Sequence, residues 1–230
     1  MTSGSVDGHS HDHDHERGVS ADVIMDQAFW DQRYQSSTTI WSGRPNPQLV
    51  TEAAGLVPGT ALDAGCGEGA DAIWLAERGW LVTAVDISAV ALERAVARAL
   101  EAGADIARRI TWQHADLSTW VPAAASYDLV SAQFLHLPRG QREPLQRRLG
   151  EAVAPGGILL VVGHHPSDLQ TTIPRPPFPE LFFTAADVAA SLAPRQWIVV
   201  AEEARARSAV DPDGRSVTIH DAVLKAQRTG

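Results

Sequence analysis

Cysteine is all but missing: Cys66 is the only one in 230 residues. An intrachain disulfide is excluded, and a reducing compartment is the natural setting. No apolar run approaches the ~20 residues needed to cross a bilayer. Basic residues are also scarce, 19 Lys and Arg against 28 Asp and Glu for a net charge of −9, and they form no dense cluster. That is the wrong sign for a nucleic-acid footprint, so neither nucleic acid nor membrane is expected as a partner. The first residues are polar and histidine-rich, unlike a secretory signal, and the cytoplasm is the expected location. What is present is the profile of a globular protein, 44% hydrophobic and 20% charged, with chain enough for one sizeable core.

Residues 1–19 are of low complexity, with His9, His11, His13 and His15 alternating with Ser10, Asp12 and Asp14. The composition reads as a solvated, disordered tail; imidazole and carboxylate also suit adventitious metal binding. From residue 20 a single domain is expected, opened by a helical cap at about 20–55. A helix is read over 22–35, with Trp30 and Tyr34 four residues apart. A second begins where Asn46 caps and Pro47 opens it, and runs to about Ala54. Beyond Gly59 strands and helices alternate. Strands are read at Thr60–Ala64, Trp80–Val85, Ile110–His114, Tyr127–Ala132 and Ile158–Val162. Helices are read at Ala70–Arg78, Ala89–Ala102 and from Pro138 to about Val153. The alternation predicts a parallel sheet covered on both faces. The end departs from it: a helix capped by Thr184, then strands Gln196–Ala201 and Ser216–Leu224 joined by Asp211-Pro212-Asp213-Gly214. Strands joined by so short a turn are antiparallel. The prolines at 166, 174, 176, 177 and 179 predict a loop or lid.

The chemistry concentrates at strand ends, where open α/β sheets bind ligands. After the first strand, Gly65, Gly67 and Gly69 alternate with Cys66 and Glu68, allowing a tight turn and close backbone approach. Asp86 follows Gly65 by 21 residues, the spacing at which a second-strand carboxylate reaches ribose hydroxyls. An adenosine-containing ligand is implied. Asp63, two residues before the first glycine, is unfavourable beside a pyrophosphate and favourable beside an ammonium or sulfonium. S-adenosylmethionine carries both cations and no phosphate. A rival stays open, because Gly65, Gly67 and Ala70 also satisfy the degenerate dinucleotide pattern.

The run Leu62-Asp63-Ala64-Gly65-Cys66-Gly67-Glu68-Gly69 resembles the first motif of class I S-adenosylmethionine-dependent methyltransferases, and the resemblance covers about residues 40–226, closest to the small-molecule tellurite-resistance and thiopurine types. It implies an α/β, Rossmann-like three-layer sandwich with a mostly parallel seven-stranded sheet ending in an antiparallel hairpin. It implies S-adenosylmethionine as cofactor, with Asp63, Gly65, Cys66, Gly67 and Gly69 around its methionine part, Asp86 on the ribose and Ile87 against the adenine. Asp116 and the Leu117 amide would meet the adenine edge, Gln133 would touch the cofactor, and Arg44 would pair with its carboxylate or with an acidic acceptor. Trp41, His164 and His165 would face a small-molecule acceptor. Of the adjacent pair His164-His165, at most one is expected to point inward. His136 is the candidate general base, which favours O-methylation of a hydroxyl by direct displacement. No metal site is expected, and homodimerisation is left open. The Asn-Pro-Pro-Tyr block of amino-directed DNA and protein glutamine methylases is absent. Two other readings stand beside this one: a nicotinamide-dependent reductase, and a non-enzymatic binding module acting through the histidine tail.

Overall fold

The computed structural model describes residues 25–38 and 40–230. The readings for the tail at 1–19, and for residues 22–24 of the first helix, fall outside the described residues. The elements in chain order are α1 (Gln27–Gln35), α2 (Pro47–Ala53), β1 (Thr60–Ala64), α3 (Ala70–Glu77), β2 (Leu81–Asp86), α4 (Ala89–Ala102), α5 (Ala104–Ala107) and β3 (Ile110–His114). After them come β4 (Tyr127–Gln133), α6 (Arg139–Ala152), β5 (Val153–His164), α7 (Ala185–Ser191), β6 (Trp197–Val210) and β7 (Ser216–Arg228).

One seven-stranded sheet runs β3-β2-β1-β4-β5-β7-β6. The first five strands pair in parallel, and β7 inserts antiparallel between β5 and β6. Alternate residues of β1 serve opposite faces. Leu62 and Ala64 join Val85, Val130, Leu149 and Leu159 on one side. Ala61 joins Leu75, Val82, Leu129 and Leu160 on the other. The result is three layers, with β1 apolar on both faces because helices cover both. Each fully buried leucine contributes about 1.5–3 kcal/mol from burial.

Local signals set the element ends. Ser88 Oγ accepts from the Ala91 amide at 3.1 Å to start α4, and Gly103 ends it at φ 135°. Asn46 caps α2 ahead of Pro47. Thr184 and Asp187 form a reciprocal capping box on α7. Several boundaries differ from the sequence reading: β7 runs on to Arg228, α5 has no counterpart there, and three further differences have a physical cause. Pro155-Gly156-Gly157 lies within β5 as an irregularity between the Tyr127–Val153 and Leu129–Ile158 pairs, with Gly156 at φ 80°. β6 runs on to Val210, because β7 pairs with its polar second half. The proline-rich segment is not all loop: 3₁₀ turns form at Pro166–Gln170 and Pro179–Leu181, where proline occupies the first turn and no amide is missed.

Candidate functional site

A cleft of about 1440 Å³ opens at the carboxyl ends of β1, β2, β4 and β5. It brings together Arg44, Asp63, Gly65, Cys66, Gly67, Asp86, Ile87, Asp116, Leu117, Gln133, His136, Trp41 and His164. Two sequence candidates fall outside its lining. Gly69 sits behind the loop at φ 79°, where a Cβ would lie 2.6 Å from the Trp112 ring and 2.9 Å from Ala95; its role is close packing. His165 turns away, accepting from the Ser167 amide to cap the first 3₁₀ turn, while its neighbour His164 points in.

The glycine loop is held by its own amides. Gly65 and Cys66 donate to the Val85 carbonyl at 2.8 and 3.0 Å, Gly67 to Asp86 Oδ2 at 2.8 Å, and Gly69 to the Cys66 carbonyl at 2.9 Å. Those four N–H groups are unavailable to a phosphate, so they form no anion cradle. Carboxylates stand there instead. Asp63 is buried, takes one hydrogen bond from the Ala72 amide, and leaves Oδ2 without a partner. Burial, reinforced by Asp71 and Asp86, holds its carboxyl well above the usual range. Burial likewise raises Asp71 to about 6, against one hydrogen bond from the Asn46 amide at 2.6 Å. Asp86 is raised by burial too, although the Ser88, Gly67 and Ile87 amides favour its charged form. An orphaned buried carboxylate oxygen beside two more acids is fitted to a cation. Asp71 was not foreseen; its only signal was its place two residues beyond the last loop glycine.

The first helix roofs the loop. Trp41 Nε1 donates to Tyr34 Oη at 3.0 Å, and that oxygen lies 2.8 Å from where a Gly67 Cβ would be. Arg94 joins Glu68 Oε1 at 3.0 Å to the Tyr34 carbonyl at 2.6 Å. Asp31 Oδ1 accepts from Ser88 Oγ at 2.6 Å, beside the N-terminus of α4. The guanidinium of Arg44 lines the cleft with no protein partner among the described residues. Beyond β3, Asp116 is exposed and accepts from Ser118 N at 2.8 Å, while Leu117 is buried and Ile87, after β2, is half-buried.

Past β4 the chain turns at Phe134, whose φ is 50°, a conformation costing about 1–3 kcal/mol for a residue with a side chain. The turn projects His136 into the cleft. Its ring lies 5.9 Å from Trp30 and 5.6 Å from His164, which in turn meets Phe134 at 4.7 Å and Phe182 at 5.9 Å. Burial, then the nearby Arg33 and Arg175, depress His136 to about 4. Burial, then Arg175, His136 and Arg207, depress His164 to about 3. Both imidazoles are neutral at pH 7, and His164 Nδ1 has no partner. Gln133 ties its amide to Ser131 and leaves Oε1 buried and unpartnered. Cys66 has no activating base, and burial pushes its thiol up, so it is an inert small residue of the loop.

A sequence profile described as a methyltransferase domain matches residues 61–157. Over that stretch, less than half of its length, the chain resembles the class I S-adenosylmethionine-dependent methyltransferases. Its strand order, with β7 antiparallel, and its occupied loop amides remove the dinucleotide-binding reading. The cofactor of the class is S-adenosylmethionine, and the orphaned Asp63 oxygen fits its cationic part. Among relatives, a 2-heptyl-1-hydroxyquinolin-4(1H)-one methyltransferase of Mycobacteroides abscessus is 34% identical over 126 residues, covering 53% of this chain and 54% of that protein. A probable thiol methyltransferase 2 of Arabidopsis thaliana is 29% identical over 138 residues, covering 58% and 60%. The chain thus spans little more than half the length of these curated relatives. Among solved structures, one from work on conversion of a disulfide bond into a thioacetal group during echinomycin biosynthesis superposes with a TM-score of 0.68 at 24% identity, over 88% of this chain and 92% of that one. At that identity the likeness is one of fold.

Proposed function

We propose that this protein methylates a small molecule at an acidic hydroxyl, with His136 as the base. The observation that carries the reading is the position of His136: in one cleft with Asp63 and Asp86, in tilted ring contact with Trp30 on one hand and His164 on the other. S-adenosylmethionine, when bound, supplies an electrophilic methyl group on a sulfonium. Asp63 and Asp71 balance its positive charge, Asp86 takes the ribose hydroxyls, and the roof of Tyr34 and Trp41 excludes water. The methyl group the cofactor supplies would pass to the acceptor oxygen by direct displacement, the electron pair of the carbon–sulfur bond staying with sulfur. The hydroxyl proton passes to the neutral imidazole of His136 and then to solvent. An imidazole held at about 4 is a weak base, which favours an O–H that is itself acidic, such as a phenol, enol or N-hydroxyl, over an alkanol. The likeness to a hydroxyquinolone methyltransferase agrees with that class. A thiol acceptor is the second reading, favoured by the likeness to a probable thiol methyltransferase.

A screen of small phenols, N-hydroxy compounds and thiols, scored by S-adenosylhomocysteine release, separates the two. With the best acceptor in hand, His136→Ala is expected to lower turnover ~10²-fold or more while sparing cofactor affinity. Full turnover in that variant would leave His136 a packing role.

A further inference from the structure

β5, β7 and β6 lie on the far side of β4 from the strands that carry the glycine loop and Asp86. What they contribute to the cleft comes from the side of β4 away from the glycine loop. Two arginines come from this side: Arg207 on β6, and Arg175 from the segment after β5. Neither spends its whole guanidinium on the protein. Arg207 gives only Nε to Asp221, at 2.9 and 3.0 Å from its two oxygens. Arg175 gives Nη2 to Asp168 at 2.7 Å, and its Nε is buried without a hydrogen-bond partner. Arg205, two residues before Arg207, behaves differently. Its three nitrogens are all taken, by Glu203, Gln48 and Glu52.

The carboxylates behind the cleft arginines are themselves fixed. The Asp168 side chain is 0% exposed and also accepts from the His220 amide at 2.8 Å. That of Asp221 is 3% exposed and also accepts from Gln48 Nε2 at 3.1 Å. A carboxylate held this way orients a guanidinium and leaves its remaining N–H groups to bind a second oxyanion. Beside them, Trp30, His136, His164 and Phe182 stand in successive ring contacts, a wall for a flat ring.

We propose that Arg175 and Arg207 form an oxyanion-binding subsite, so that the methyl acceptor is a planar aromatic compound bearing a carboxylate or equivalent oxyanion in addition to the group that is methylated. The proposal rests on the methyltransferase reading above and adds the class of substrate. The test uses calorimetry on the full chain. S-adenosylhomocysteine is titrated first; the saturated protein is then titrated with the hydroxybenzoate isomers and with the matching hydroxybenzamides. At least one acid is expected to bind about tenfold or more tighter than its amide. Arg207→Gln is expected to bring that ratio close to one. Arg175→Gln combined with Asp168→Asn, which leaves no unpaired buried charge, is expected to do the same. Equal or undetectable binding of acid and amide, or a preference that survives both variants, overturns the subsite. Failure of S-adenosylhomocysteine to bind in the first titration removes the methyltransferase reading and the subsite together; its binding without any acid preference removes the subsite alone.

Discussion

Asp63 and Asp71 share one end of the cleft, and burial makes both hold protons more tightly than free carboxyls do. A bound cation stabilises their charged forms, so binding of S-adenosylmethionine releases protons. Affinity should therefore rise with pH through about 6, the position of Asp71, and level off above it. S-adenosylhomocysteine lacks the sulfonium and should show a weaker dependence. Calorimetry in two buffers of different ionisation heat, at pH 5.5 and 7.5, counts the protons; no release for the sulfonium ligand would contradict the assignment. Asp86→Ala removes the acceptor for the Gly67 and Ser88 amides and the one proposed for the ribose hydroxyls. Cofactor binding should weaken by about 1–3 kcal/mol, the cost of unpaired polar groups. Unchanged affinity would take Asp86 out of the site.

At the scale of elements, α1 matters by where it is pinned. Its Asp31 meets the start of α4, and the carbonyl of its Tyr34 meets Arg94, which also holds Glu68. The Tyr34 hydroxyl leaves Gly67 no room for a methyl group, and Gly67 stands at φ 51°. Gly67→Ala should cost about 1–3 kcal/mol from backbone strain and lift the roof. The expected readout is a lower Tm together with at least tenfold weaker binding of S-adenosylhomocysteine. A variant with wild-type affinity would show that the roof takes no part in cofactor binding. The elements that the sequence made legible were those with local causes. Ala89–Ala102 lies between a serine cap and a glycine, and Thr60–Ala64 and Ile110–His114 are short apolar runs bounded by turns. The second half of β6, with its Glu-Glu-Ala-Arg-Ala-Arg run, carries no apolar alternation, and only its pairing with β7 makes it a strand. The end of the cleft that holds the glycine loop and Asp86 was legible for the same reason, because the two sit at fixed spacing. Asp71, Arg175, Arg207, Asp168 and Asp221 escaped notice. The partners that give the last four meaning lie 7 to 173 residues away in the chain.

For the whole molecule, buried histidines and buried acids pull stability in opposite directions with pH. His136 and His164 titrate at about 4 and 3 when folded, against 6.5 ordinarily. Between those limits the unfolded chain holds the extra protons, so their contribution is present above 6.5 and is lost as pH falls. Asp71 has its folded value raised to about 6 from 3.8. It contributes stability at low pH that is lost as pH rises through that window. The two effects offset each other between pH 4 and 6. Asp71→Asn removes the opposing one, so stability of the variant should climb more steeply with pH than that of the wild type, by up to about 1.4 kcal/mol per pH unit. Urea midpoints at pH 4.5, 5.5 and 6.5 read the slope directly, and parallel curves would contradict the raised value for Asp71.

Gln48 and Glu52 of α2 are grasped by Asp221, Arg205 and Lys225 of the last two strands, as far as 173 positions downstream. A ribosome making this chain therefore finishes the glycine loop long before the hairpin that carries part of the proposed acceptor subsite. On the proposal above, selectivity is assembled late, by the hairpin folding back onto a helix translated well before it.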